Sequence, residues 1–269
     1  MWNAPPPTDT EWLPALDMPD AGPQNRLTVL VRLLLAIPQI IVVWVLSVIG
    51  FFVAVIGWVV ALVTAELPEF AVRYLGGYVG YDTRVNAYLQ LTLDAYPPFR
   101  FDAPDYPVRI ELRPGPLNRL AVLFRLILAI PAAIVQSVLY SGWWTVALIS
   151  WIVVLVLGRM PDPLFEATAA ILRYRMRFQA YLLMLTSAYP KRLFGDELDK
   201  TVPRSSATRP LLLSSGGRVL LVVFIVIGAV SYLVSSFTTD ATWDDDYDAS
   251  VTRQLDLLDR PAPLGGAAR

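Results

Sequence analysis

The sequence predicts a mostly α-helical integral membrane protein made of two tandem repeat units, with short β segments between them and one C-terminal transmembrane helix. Three observations carry this prediction. Hydrophobic residues make up 55% of the 269-residue chain and the mean hydropathy is +0.51, well above an ordinary soluble domain. No charged residue falls within 33–65, 126–158 or 219–237, stretches close to or beyond the ~20 residues that cross a bilayer. Finally, NRLTVLVRLLLAIP at 25–38 returns 93 residues later as NRLAVLFRLILAIP at 118–131, with eleven of fourteen positions identical.

The offset of 93 holds without a gap. Pro14 falls on Pro107, Trp58 on Trp151, Pro68 on Pro161, Tyr81 on Tyr174, Arg84 on Arg177, and Ala95-Tyr96-Pro97 on Ala188-Tyr189-Pro190. A register kept that far means duplication. Unit one covers residues 13–101 and unit two 106–194, after a disordered, proline-rich tail at 1–12 that lacks the basic start of a signal peptide. A cytoplasmic linker (195–217), a transmembrane helix (218–237) and an acidic tail (238–269) follow.

Each unit opens with a short extended segment. In YPVRIELRPGP, Val108, Ile110 and Leu112 alternate with Arg109, Glu111 and Arg113, the pattern of a half-buried strand; unit one's LPALDMPDAGP has lost the alternation. The long apolar runs, 27–65 and 120–158, exceed one bilayer thickness at about 1.5 Å per residue. Each is therefore read as a helical hairpin, turning near Ser47 and Gly50 in one unit and near Ser141 and Gly142 in the other. The hairpin either spans fully or re-enters from one side. An amphipathic helix follows at 69–95 and 163–188. Its tyrosines and arginines recur at helical spacing, which suits either a helix in the headgroup layer or packing against the hairpin.

Nineteen of the 22 Lys and Arg residues precede Val219, and none lies at a hairpin tip. The positive-inside rule then places the N-terminus in the cytoplasm, the C-terminal tail outside, and five crossings between them. Both units would stand the same way up, about a pseudo-two-fold along the membrane normal.

Cysteine and histidine are absent, which removes thiolate chemistry, Ser-His-Asp triads, histidine metal sites and the usual haem ligand. No metal, cofactor or catalytic residue is expected. Asp244-Asp245-Asp246-Tyr247-Asp248 lacks the spacing and glycine of a calcium loop and reads as a solvated acidic run. Arg32 and Arg125 lie inside apolar runs, where a charge is costly. Pairing them with Glu66 or Glu69 and with Asp162 would fasten the legs of each hairpin. The alternative is contact with a lipid phosphate or another anion, shared with Arg26, Arg119, Arg84 and Arg177. Pro38 and Pro131 are expected to kink the first helix of each unit. No Asp, Glu or Lys lies deep in any apolar run, which counts against an ion-coupled transporter.

The unit N-R-L-x-V-L-x-R-L-x-L-A-I-P with an A-Y-P close resembles the bacterial membrane proteins catalogued as domain of unknown function 4389, which commonly carry it twice. That family ends the first motif in I-P-H, where this chain has Ile37-Pro38-Gln39 and Ile130-Pro131-Ala132. The family's Y-P-P-F close stands as Tyr96-Pro97-Pro98-Phe99 and is degenerate as Tyr189-Pro190-Lys191-Arg192. The resemblance implies an architecture in the bacterial plasma membrane and no activity.

The expectation is a non-enzymatic, multi-pass accessory or scaffold protein touching anionic lipid headgroups. Another membrane protein or a second copy of the chain is a candidate partner, and nucleic acid is not. The alternative is a transporter or lipid-translocating protein with a site between the units near Pro38 and Pro131.

Overall fold

The computed structural model describes residues 12–196 and 208–234. In chain order it contains β1 (Ala15–Asp17), α1 (Arg26–Thr64), α2 (Glu69–Leu89), β2 (Arg109–Glu111), α3 (Arg119–Leu123), α4 (Arg125–Leu157), α5 (Asp162–Leu182) and α6 (Ser215–Val234). The expected acidic run at 244–248 lies outside the described residues.

The repeated residues set the helix ends. Asn25 caps α1 by accepting from the Leu27 amide, and Asn118 caps α3 by accepting from the amides of Leu120 and Ala121, each relieving orphan donors of a first turn. Helix α1 stops at Ala65 and α4 at Gly158, both left-handed at φ 62° and 71°. Pro68 and Pro161 then cap α2 and α5.

The expected hairpin within each apolar run is not formed. Helix α1 is one continuous helix of 39 residues, and unit two's run is one helical rod interrupted at Phe124, the position of Val31. The weak helix formers serve close approach instead of turning. Gly50 is buried beneath Tyr74, Leu75 and Tyr78, and Gly142 lies against the backbone of α6. Ser47 bonds back to the carbonyl of Trp44 within the helix. Without the two hairpins, the five expected crossings reduce to three helices long and apolar enough to cross: α1, α4 and α6. Pro38 and Pro131 sit inside continuous helix.

The antiparallel partner of each long helix is the next helix in the chain. Along α1, Gly57 meets Leu67 and Ala71, Gly50 meets Leu75, Gln39 meets Tyr81 and Arg32 meets Tyr88. Along α4, Trp143 donates to Thr168 at 3.2 Å and Arg125 lies over Tyr181. Helices α2 and α5 are thus interior, burying Leu75, Val79, Tyr81, Val85, Ile171, Leu172 and Met176. The tyrosine and arginine spacing marks packing on the long helix.

The two units are related by a pseudo-two-fold, visible as contacts made twice in exchanged form. Trp58 Nε1 donates to the Val122 carbonyl at 2.9 Å, and Trp151 Nε1 to the Val29 carbonyl at 2.8 Å. The Leu117 amide donates to Ala65 O, and the Gln24 amide to Gly158 O. Such reciprocity is the signature of an isologous interface. Residue 29 of α1 meets residue 151 of α4, and residue 58 meets residue 122, so α1 and α4 run antiparallel. The pseudo-axis is therefore perpendicular to the long helices, and not parallel to them as two like-oriented crossing hairpins would require. Strands β1 and β2, one from each unit, pair antiparallel with Leu16 opposite Ile110 and Asp17 opposite Arg109. These two pairs are themselves exchanged by the offset of 93, so the axis passes through the ribbon.

Helix α6 packs on α4 where no side chain intervenes. A Cβ on Gly142 would collide with the carbonyl of Phe224, and one on Gly228 with that of Val138, the small-residue contact typical of helices in lipid.

Candidate functional site

The repeated motif assembles the same device in each unit at the C-terminal end of the second helix. Helix α2 ends through Leu91 and α5 through Met184, both left-handed at φ 62° and 63°. The Thr92 amide reaches back to Ala87 O and the Leu185 amide to Ala180 O, the long bond of a Schellman ending. A non-glycine residue in that conformation costs on the order of 1 kcal/mol, yet both units keep one.

The arginine of the opening motif satisfies the carbonyls left over. Arg32 donates through Nη1 to the carbonyls of Tyr88 at 3.0 Å and Leu93 at 3.1 Å. Arg125 donates to Tyr181 O at 2.6 Å and to Thr186 O. Each guanidinium also lies over the ring of the same tyrosine, 4.6 Å from the Tyr88 centroid and 4.3 Å from that of Tyr181, a cation–π arrangement. A cation at the negative end of a helix dipole is favourable as well. Unit one adds Asp94, 3.0 Å from Arg32 Nη2, and the Gln24 side chain at 3.0 Å. At the corresponding position unit two has Ser187.

The A-Y-P close belongs to the same device. Tyr96 packs edge-on against Tyr88, and Tyr189 against Tyr181. Gln39 donates to the carbonyl of Pro97 at 2.7 Å and accepts from the Tyr81 hydroxyl. A neutral histidine, one nitrogen donating and the other accepting, could bridge the same two groups. In unit two the position is Ala132, and Tyr174 reaches its main-chain oxygen instead.

Arg84 and Arg177, again equivalent, hold the segment after the close. Arg84 donates to the carbonyls of Arg100 and Phe101 at 2.7 and 2.9 Å. Arg177 donates to the carbonyls of Pro14 and Lys191 and pairs with Asp196. Arg173 shares Asp196 at 2.6 Å; burial, with the charge of Arg177 beside it, lowers its pKa to about 10.

The expected ion pairs are not the ones formed. Glu69 pairs with Arg73, and Glu66 is exposed. Neither reaches Arg32, because about 34 helical residues, roughly 50 Å, separate position 32 from position 66 along an unbroken helix. Asp162 starts α5 at the end opposite Arg125. Arg32, Arg125, Arg84 and Arg177 are buried and each donates to main-chain oxygens, whereas Arg26 and Arg119 are exposed; Arg26 donates to Val156 O. Pro38 and Pro131 are exposed on the outward faces of their helices. Among the described residues no group of His, Cys, Asp and Glu could hold a metal.

Sequence reasoning missed Asp94, whose twin is a serine, and the pair on the pseudo-axis. Arg175 lies 3.2 Å from the buried Asp82, and Gln179 donates to the same carboxylate at 2.9 Å. Positions 82 and 175 differ by the repeat offset, so an acid opposite a base at equivalent positions was the available signal.

A cleft of about 530 Å³ opens between the β1 loop, the start of α5 and residues 209–212. Most of its charges are already engaged: Glu166 holds Ser214, Arg209 holds Asp17 and Arg173 holds Asp196.

No curated protein and no solved structure matches the chain. A family model described as a domain of unknown function, DUF4389, matches residues 26–100 and again 119–193, more than half of the chain. Each match spans one arginine device from its opening motif to the segment beyond its close, and the chain belongs to the DUF4389 family in two tandem copies.

Proposed function

We propose that the chain is a non-enzymatic scaffold of the bacterial plasma membrane, with its long helices immersed in lipid and its exposed motif arginines against anionic headgroups. One observation carries the reading. The outward faces of α1 and α4 are apolar and exposed along their whole length, from Leu27 through Leu34, Trp44 and Phe52 to Val63, and from Leu126 through Ile134 and Leu148 to Val156. A helix apolar all round belongs in a core or in hydrocarbon, and these faces far exceed what a soluble monomer leaves in water. The interior is occupied by structural arginines bonded to carbonyls, which suits a rigid support better than a substrate path. The exposed positions of Pro38 and Pro131 give no support to a transport site between the units.

Affinity purification in native lipids tests this. The reading expects the protein in the membrane fraction after alkaline extraction, anionic lipid co-purifying with it, and a partner protein or second copy retained. Combined Arg26→Ala and Arg119→Ala should reduce anionic-lipid retention severalfold, at about 1 kcal/mol per basic residue near a charged surface. Unchanged retention would end the headgroup role.

A further inference from the structure

The position of the charged ribbon along the long helices says how the molecule sits in the bilayer. Helix α2 turns roughly opposite faces to two neighbours. Ala71, Tyr74, Leu75, Tyr78 and Tyr81 lie toward α1, while Gly76 meets Leu112, Gly80 meets Ile110, and Gly77 is covered by Phe101. The molecule is therefore layered along the pseudo-axis: α1 and α4 on one side, α2 and α5 next, and the β1–β2 ribbon with the loop around Phe101 on the other side.

The ribbon lies over the middle of the long helices, because Gly76 and Gly80 belong to the stretch of α2 that packs on α1 between Gln39 and Gly50. It is also charged. Arg109, Arg113, Asp102 and Asp105 are exposed there, and Asp17 and Glu111 partly so. If α1 and α4 crossed the bilayer along its normal, those groups would stand at mid-depth, where open strand edges do not occur and each charge costs several kcal/mol. Length agrees. From Leu27 to Val63 α1 is about 55 Å long at 1.5 Å per residue, against a hydrocarbon core of ~30 Å.

We propose that α1 and α4 do not cross the membrane: they lie antiparallel within the hydrocarbon of one leaflet, with the pseudo-two-fold along the membrane normal and the ribbon facing water. This rests on the membrane reading above and commits the exposed face of α1 and α4 to acyl chains of a single leaflet. A helix layer about 10 Å thick fits within a half-core of about 15 Å. Helices α2 and α5, richer in tyrosine and arginine, then come level with the headgroups behind it. Helix α6 begins beside Pro163 and Glu166 in the α5 layer and passes Val138 and Gly142 in the α4 layer, so it runs from the water side toward the lipid side.

The chain has no native cysteine, so three single-cysteine variants of the full chain test the proposal. They are Glu69→Cys and Asp162→Cys, exposed equivalents at opposite ends of the long helices, and Arg109→Cys on the ribbon. A membrane-impermeant maleimide is applied to vesicles of each polarity. All three sites reacting to the same extent in the same preparation is the expected result. Positions 69 and 162 reacting in opposite preparations, or position 109 protected in both, would overturn it in favour of crossing helices. Alkaline carbonate on the same vesicles separates the two levels: release of the protein would overturn the membrane reading itself, and retention with the wrong labelling pattern overturns only the in-plane arrangement.

Discussion

Asp82 and Arg175 occupy the same position in the two repeat units and face each other across the pseudo-two-fold at 3.2 Å. In a perfectly symmetric pair the same residue would meet itself there, and like charges in a buried site repel strongly. Divergence into an acid and a base turns the axis into an ion pair and makes the two halves obligate complements.

Reversing Asp82 to Arg should therefore destabilise the protein by about 3–5 kcal/mol, the usual loss when a buried pair is broken. Exchanging both, Asp82→Arg with Arg175→Asp, should recover most of it, since each site is built like the other. Recovery should fall short by about 0.5–1 kcal/mol, because Arg175 also lies 5.2 Å from the Tyr140 ring centroid and position 47, the twin of 140, is serine. Thermal unfolding in detergent across this double-mutant cycle gives the coupling.

Gln39 bridges Tyr81 and the carbonyl of Pro97. Gln39→Ala should cost about 1–3 kcal/mol by leaving a buried hydroxyl and a carbonyl unpaired. Gln39→His, which keeps one donor and one acceptor, should keep near-parent stability. Equal losses from the two substitutions would show that the bridge does not act through paired donor and acceptor.

The exchanged tryptophan bonds predict matched effects. Trp58→Phe and Trp151→Phe should each cost about 1 kcal/mol. The two sites are roughly 44 Å apart along α1, so the double variant should show the plain sum. Unequal losses measured by denaturant titration would mean that only one end of the α1–α4 contact matters.

Docking of α6 depends on bare backbone. Thr145 and Ser231 have hydroxyls 3.3 Å apart across α4 and α6, so cysteines at both positions should oxidise to a disulfide. Adding Gly228→Leu should abolish the crosslink, because the new side chain would occupy the space of Val138 O. A crosslink that persists would place α6 elsewhere.

Much of the architecture was legible from the repeat. The offset of 93 placed the long apolar runs at 27–65 and 120–158 and the second helices from 69 and 163, within a residue or so of the observed starts. What misled was glycine and serine in an apolar run. Gly50 and Gly142 read as turn residues because they are weak helix formers, whereas both sit where another helix comes close. That one substitution of roles moved Glu66 and Glu69 to the far end from Arg32. Asp94 was hidden for a different reason: a serine replaces it in unit two, so the repeat gave no cue. The antiparallel placement of the long helices also escaped, because charge counting took each apolar run for a crossing hairpin, and neither run forms one.

The central claim is that two copies of one unit face each other with their long helices antiparallel. Spin labels at exposed positions measure it directly. Leu30 and Ile152 lie beside the Trp151–Val29 bond, and Leu126 lies near the other end of the same helix. Double electron resonance should give a short distance for labels at 30 and 152. For 30 and 126 it should be about 40 Å, set by the intervening 26 helical residues. The reverse order would contradict the account, since only parallel long helices bring position 30 closer to 126 than to 152.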